Sequence, residues 1–282
     1  MLSLANPNST VKWPRQSKWQ IDAAQWSPHH ANATSFVTSC NQRADLWKWQ
    51  DPTFKQQGSM RAHTRVISDI DWSPFDPNTL ATCSVDTFTH GWDVRDLRKP
   101  KFSLQGIAGV TQAKWNKVNS HVLATCHDGD IRVWDERKTS QPMQYIAAHA
   151  SKIHGLDWSP TDESELASSS QDCCVKFWNI NEPRQAIDKM GPFRAPVWRA
   201  RYTVNRQHTH SSLYLHYCIF SGFCSLIFQP FGKSIVTVEV PQLRRGDNNL
   251  FMWNRDDLQL PVHTFIGHAD AVLDFHWKKS SG

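Results

Sequence analysis

Two sets of residues in this chain carry the makings of acyl-transfer chemistry. His63, Ser84 and Asp86 form one, and His149, Ser170 and Asp172 repeat the same offsets. A serine hydroxyl attacks a carbonyl when an imidazole takes its proton and a carboxylate holds that imidazole in the right tautomer. Each aspartate is followed six residues later by a tryptophan, Trp92 or Trp178, which a proton relay does not use. An active site occurs once, whereas a set that recurs with an indole attached marks a repeated architecture. Buried indole N–H, hydroxyl and imidazole groups need partners and supply one another. No Gly-x-Ser-x-Gly elbow, phosphate loop or His-Glu-x-x-His motif accompanies them. The fourteen histidines follow the repeat rather than a ligand spacing, and the seven cysteines include no Cys-x-x-Cys. The expectation is therefore a structural network, with no catalytic residue, cofactor or metal, and free thiols in a reducing compartment.

The elements behind these residues recur with a fixed period. Asn41–Trp47, Asp86–Trp92, Asp128–Trp134, Asp172–Trp178 and Asp247–Trp253 all share the six-residue offset. A second aromatic series, Trp26, Trp72, Trp115, Trp158, Tyr202 and Trp277, steps by 46, 43, 43, 44 and then 75 residues. A period of this size means an array of one supersecondary unit stacked into a single body. In the second unit, Val66 to Trp72 alternates apolar and polar over its last residues, as a half-buried strand does. Ser73 to Asn78 is a turn cluster. Leu80 to Ser84 is a second short strand, Asp86-Thr87 a tight turn, and Phe88 to Trp92 a third strand. Three or four short strands per unit of 40–45 residues make a β-propeller blade. The fold class is all-β.

Ala62-His63, Ala148-His149 and Gly267-His268 at unit starts, with Trp92-Asp93 and Trp134-Asp135 at unit ends, resemble WD repeats. The resemblance covers residues 18 to 282, with residues 1 to 17 a partial N-terminal segment. It implies a hydrogen-bonded set in each blade: His63, Ser84, Asp86 and Trp92 in one, and His149, Ser170, Asp172 and Trp178 in another. The third unit has Cys126 at the serine position and no leading histidine, so its set is expected to be incomplete.

One segment breaks the period. Removing Val204 to Gln229 would bring the step of 75 down to 49. Those residues contain no Asp, Glu or Lys, and Leu213 to Phe228 is nearly continuous apolar and aromatic sequence. Sixteen residues is short of the roughly 20 that a membrane helix needs. A surface loop would be unusually apolar and an aggregation hazard, and the segment reads instead as a translated intron. Valine codons begin with the letters of a splice donor, and a glutamine codon can end as an acceptor does. Gly282 falls inside a unit, so the expectation is five blades and part of a sixth, with open strand edges.

Within the WD repeats, Ser39 to Leu46, His63 to Trp72, His149 to Trp158, Pro196 to Thr203 and Val240 to Arg245 resemble the WD-repeat subunits of the GATOR complex. That complex is a relative of the SEA complex. The resemblance implies a non-enzymatic scaffold in amino-acid signalling to the target-of-rapamycin kinase. It implies other WD-repeat and nucleoporin-like subunits as partners, no nucleic acid, and a cytoplasmic location at the lysosomal or vacuolar membrane through the complex alone. The net charge of +5 is spread along the chain and does not argue for nucleic acid. A rival reading is a substrate receptor of a cullin-type ubiquitin ligase, from the Trp-Asp-x-Arg pattern at Trp92 to Arg95 and Trp134 to Arg137. Candidate interaction residues are Arg95, Arg98, Arg137, Arg244 and Arg245.

Overall fold

The structure, a computed structural model, describes residues 21–50, 53–203, 211–214, 234–239, 249–266 and 276–279. Five four-stranded antiparallel sheets make up an incomplete β-propeller. Blade 1 is β1 (Ala23–Trp26), β2 (Ser35–Cys40), β3 (Arg43–Gln50) and β4 (Thr53–Met60), with a short 3-10 turn at His30–Asn32. Blade 2 is β5 (Ile67–Trp72), β6 (Thr79–Ser84), β7 (Phe88–Asp93) and β8 (Phe102–Gln105). Blade 3 is β9 (Val110–Trp115), β10 (Val122–His127), β11 (Asp130–Asp135) and β12 (Gln144–Ala147). Blade 4 is β13 (Ile153–Trp158), β14 (Glu165–Ser170), β15 (Val175–Asn179) and β16 (Asp188–Met190). Blade 5 is β17 (Val197–Tyr202), β19 (Ser234–Glu239), β20 (Leu250–Asn254) and β21 (His263–Phe265). A separate pair joins β18 (Ser211–Tyr214) to β22 (His276–Lys279).

Composition explains the position of each strand in its blade. The second strands are short and rich in small residues, and β6 and β10 are buried along their whole length. Neighbouring blades cover both faces of such a strand, so only compact side chains fit. The outermost strands bury little. In each blade one outer residue is almost fully covered: Met60, Leu104, Ile146, Met190 and Phe265.

Each blade closes its first hairpin with the same backbone bond. Ser73 N–H donates to Thr79 O, Asn116 N–H to Val122 O and Ser159 N–H to Glu165 O. In blade 5 the bond runs from Thr203 N–H to Ser234 O at 2.8 Å. The strands on either side pair directly, with Tyr202 opposite Ile235. The base of this hairpin is thus closed at Thr203 and Ser234 in the same way as in its neighbours. Apart from Ser211–Tyr214, residues 204–229 lie outside the described residues.

The blades are joined through their innermost strands. Asp71 accepts Trp115 N–H of the next blade at 2.8 Å and Gln25 Nε2–H of the preceding blade at 3.1 Å. Trp72 Nε1–H donates to Gln25 O, and Trp158 Nε1–H to Lys114 O. Asp157 accepts Tyr202 N–H at 2.9 Å and pairs with Lys117 at 2.7 Å. Lys114 is buried between Asp69 at 2.8 Å and Asp71 at 3.4 Å. Burial opposes its charge, and the two carboxylates more than offset that, holding its pKa above the ordinary lysine value.

In blades 2 to 5 the residue two past the blade tryptophan fills the seam behind it. Val94 and Ile180 pack against apolar clusters. Glu136 instead meets His121 at 3.0 Å and Lys101 at 3.7 Å. Arg255 meets Glu165 and Asp188, each at 3.0 Å, with its guanidinium over the Phe177 ring.

Removing one member of a buried charged set strands the others. Asp71→Ala is expected to cost about 3 kcal/mol of unfolding free energy. Asp93→Ala, at an exposed ion pair, should cost about 1 kcal/mol or less. Urea midpoints of the two variants check the difference.

Candidate functional site: blade networks and the exposed rim

In blade 2 four side chains form one hydrogen-bonded line. Trp92 Nε1–H donates to Thr82 Oγ1 at 2.9 Å, and Thr82 Oγ1 lies 2.8 Å from His63 Nε2. His63 Nδ1 lies 3.0 Å from Asp86 Oδ2. An indole nitrogen can only donate, so the hydroxyl hydrogen is free to point at Nε2, and Nδ1–H then donates to the carboxylate. Asp86 also accepts backbone N–H groups from Thr64 and Phe88. Blade 4 repeats the line: Trp178 to Ser168 at 2.9 Å, Ser168 to His149 at 2.7 Å, and His149 to Asp172 at 2.8 Å.

The hydroxyls in these lines are Thr82 and Ser168, not Ser84 and Ser170. This corrects the reading from sequence. Trp92 sits opposite Leu80 across the sheet, and its ring reaches the residue two further along the same face, which is Thr82. Ser84 is two residues further again, at the turn. There it donates to Arg65 O and accepts Asp86 N–H, each at 3.1 Å. Ser170 does the same with Lys152 O and Asp172 N–H.

The third blade corrects a second expectation, because its network is rebuilt rather than incomplete. Trp134 Nε1–H donates to Thr125 Oγ1 at 2.9 Å, and Thr125 lies 2.8 Å from His127 Nε2. His127 Nδ1–H donates to Ala108 O at 3.0 Å. By strand register His127 occupies the place of Ser84, and Cys126 that of Cys83. Gly106 stands where the other two blades carry histidine, four residues before the inner strand. A Cβ at Gly106 would overlap the His127 ring. The imidazole has changed its point of attachment and kept its partner.

Blades 1 and 5 keep the indole bond without a described histidine: Trp47 to Thr38 at 3.0 Å and Trp253 to Thr237 at 2.9 Å. The separations between tryptophan and hydroxyl are 9, 10, 9, 10 and 16 residues. They vary with the length of the intervening connection. Two-residue turns place Asn41 and Asp128 at φ 57° and 50°, while the longer turns place Thr87 and Cys173 at 76° and 61°. Asp247 lies outside the described residues. A signal for the hydroxyls was present in the sequence: Phe-Val-Thr, Leu-Ala-Thr twice, Leu-Ala-Ser and Ile-Val-Thr all end on the bonded residue.

Thr82–His63–Asp86 has the hydrogen-bond order of a hydrolase triad. Its hydroxyl is fully buried, at 0% exposure, as is Ser168. One of its lone pairs is held by an indole N–H. No substrate carbonyl can approach it. Among the described residues no three His, Cys, Asp or Glu side chains are close enough together to hold a metal ion. No helix there is long and apolar enough to cross a membrane.

Burial keeps the histidines neutral. His63, His127 and His149 all titrate below the ordinary imidazole value, with burial the first cause and Asp86 or Asp172 partly offsetting it at two of them. His90 lies tilted against His63 with ring centroids 4.4 Å apart, and burial followed by that neighbour lowers it to about 4. His154, stacked on Trp198, is lowered to about 4 by burial, Lys152 and Arg199.

The rim arginines are arranged alike. Arg95 Nε and Nη2 fork onto Asp93 at 2.9 and 2.6 Å, and Arg137 onto Asp135 at the same distances. Arg98 forks onto Asp96. The hydrogen bonds from these arginines hold Asp96 and Asp135 down at about 2. The Trp-Asp-x-Arg pattern is therefore, first, a turn in which the arginine folds back on its own aspartate. Arg244 and Arg245 lie outside the described residues. Two clefts, of about 240 and 510 Å³, flank Arg255 at the seam of blades 4 and 5.

The family model "WD domain, G-beta repeat" matches residues 54–93, 98–135 and 140–179. Those three stretches are WD40 repeats. Each matched stretch holds the outer strand of one blade and the three inner strands of the next. The matched repeat thus ties neighbouring blades together covalently. The chain is 49% identical over 268 residues to human GATOR2 complex protein WDR59, covering 95% of the chain and 25% of the relative. It is 38% identical to GATOR2 complex protein Wdr59 of Drosophila melanogaster, over 94% of the chain and 25% of the relative. Maintenance of telomere capping protein 5 of Saccharomyces cerevisiae is 31% identical, over 99% and 23%. The chain spans about a quarter of the length of these relatives.

Thr82→Val should leave Trp92 N–H and His63 Nε2 without their partner in a dry interior, and cost about 2–3 kcal/mol. Ser84→Ala, at the turn, should cost about 1 kcal/mol. Equilibrium denaturation separates them, and equal losses would contradict the assigned line. A second expectation concerns pH. The unfolded chain takes up protons on these histidines near the ordinary value of about 6.5, while the folded chain resists until lower pH. Their contribution to stability is full above that value and is lost as pH falls from about 6.5 toward 4. Melting curves across that range check the direction.

Proposed function

We propose that the chain serves as a non-enzymatic scaffold within a GATOR2-type assembly. The observation that carries this is the 49% identity over 95% of the chain to a protein named as a GATOR2 subunit. The buried hydroxyls of the triad-like lines support a structural role for those side chains. Rigid blades with exposed loops suit the simultaneous docking of several proteins. In this reading the assembly acts in amino-acid signalling to the target-of-rapamycin kinase. The chain reaches the lysosomal or vacuolar surface through its partners, which include other WD-repeat and nucleoporin-like subunits. The segment 204–229 plays no part in that role and reads as a translated intron. The test is affinity purification of the tagged full-length protein from its own cells, with quantitative mass spectrometry. Other GATOR2 subunits are expected in stoichiometric amounts. Recovery of a cullin ligase adaptor in their place would establish the substrate-receptor reading instead.

A further inference from the structure

The forks on blades 2 and 3 form one surface. Lys101, just before the outer strand of blade 2, reaches Glu136 on blade 3 at 3.7 Å, so the stretches 93–101 and 135–138 lie side by side. Arg95, Arg98 and Arg137 each turn the Nε and Nη2 edge inward to an aspartate two residues earlier. The Nη1 nitrogens make no bond among the described residues. Their side chains are 71%, 88% and 62% exposed, against 27%, 40% and 8% for Asp93, Asp96 and Asp135. The carboxylates are tucked below, and what meets a partner is the outer end of three guanidiniums held in fixed orientation.

We propose that this rim of blades 2 and 3 docks an extended, carboxylate-rich protein segment through Arg95, Arg98 and Arg137. The outer edge of a guanidinium presents two parallel N–H groups, the spacing of a carboxylate's two oxygens. The aspartate behind each arginine removes the side-chain freedom that docking would otherwise have to freeze. A membrane is the poorer fit. The two stretches hold six basic and four acidic residues, leaving little net charge for attraction to anionic lipid. Recognition here depends on oriented donors more than on summed charge. The surface stands independently of which assembly the protein joins.

The test uses the purified chain, a fluorescein-labelled oligo-glutamate peptide, and vesicles of equal phosphatidylserine and phosphatidylcholine. One variant carries Arg95→Lys, Arg98→Lys and Arg137→Lys together, which keeps every charge and removes the fork. A second carries glutamine at the same three positions. The parent is expected to bind the peptide with a salt-sensitive anisotropy change. The lysine variant should bind about tenfold more weakly, the glutamine variant more weakly still, with melting temperatures near the parent's. A lysine variant equal to the parent would overturn the proposal, since charge alone would then suffice. So would vesicle binding without peptide binding, or no peptide binding at low salt. Co-purification of assembly subunits by the glutamine variant reads separately, so loss of peptide binding leaves the assembly reading untouched.

Discussion

Burying an indole N–H without an acceptor is costly, and every described blade sets a hydroxyl beside the tryptophan of its third strand. The blade tryptophan is the largest side chain between the second and third strands. In water its nitrogen would be hydrated; in the interior only a neighbouring strand can replace that bond. All five described blades answer with a hydroxyl on the second strand, two residues beyond the one that faces the tryptophan. Once the hydroxyl accepts from indole, its own hydrogen needs an acceptor. An imidazole supplies one in blades 2, 3 and 4. The turn aspartate holds that imidazole in blades 2 and 4, and Ala108 O holds it in blade 3.

The bonds between blades have the same character. Asp71 and Asp157 each accept a backbone N–H from the next inner strand. Blade 3 carries Lys114 at that position, and its lysine turns back to the carboxylates of blade 2. The link forward is then made by Gln112, whose side-chain oxygen accepts Leu156 N–H. Seams are keyed in turn by apolar and charged residues, from Val94 and Glu136 to Ile180 and Arg255. Two clefts flank Arg255, whose head group requires directional partners rather than close packing.

Much of this was legible before any coordinates. The first three strands of each blade show as alternation and as short small-residue runs bounded by turn clusters. The outer strands were nearly invisible, since each buries a single residue and has no alternation to read. The candidate network was half legible. His63, Asp86 and Trp92 could be picked out by spacing, but the hydroxyl could not. In blades 2 and 4 both serine and bonded hydroxyl keep a fixed offset from the turn aspartate, so spacing does not choose between them. Pairing geometry does, because Thr82 lies two residues beyond the one opposite Trp92.

The amino-acid sequence by itself determined the period, the strand-turn-strand order and the residue types that would be buried together. These are local properties, and a chain with a fixed repeat declares them repeatedly. The tertiary structure alone decided which side chains meet. Turn length shifts one strand against the next without altering composition, so the indole's partner lies nine residues away in one blade and ten in another. Across β10 and the loop before β9, His127 fills the space that Gly106 leaves open, an exchange between positions with no fixed sequence relation. Hydrogen bonds are satisfied in space, and the chain is free to bring the needed atom from whichever strand lies nearest.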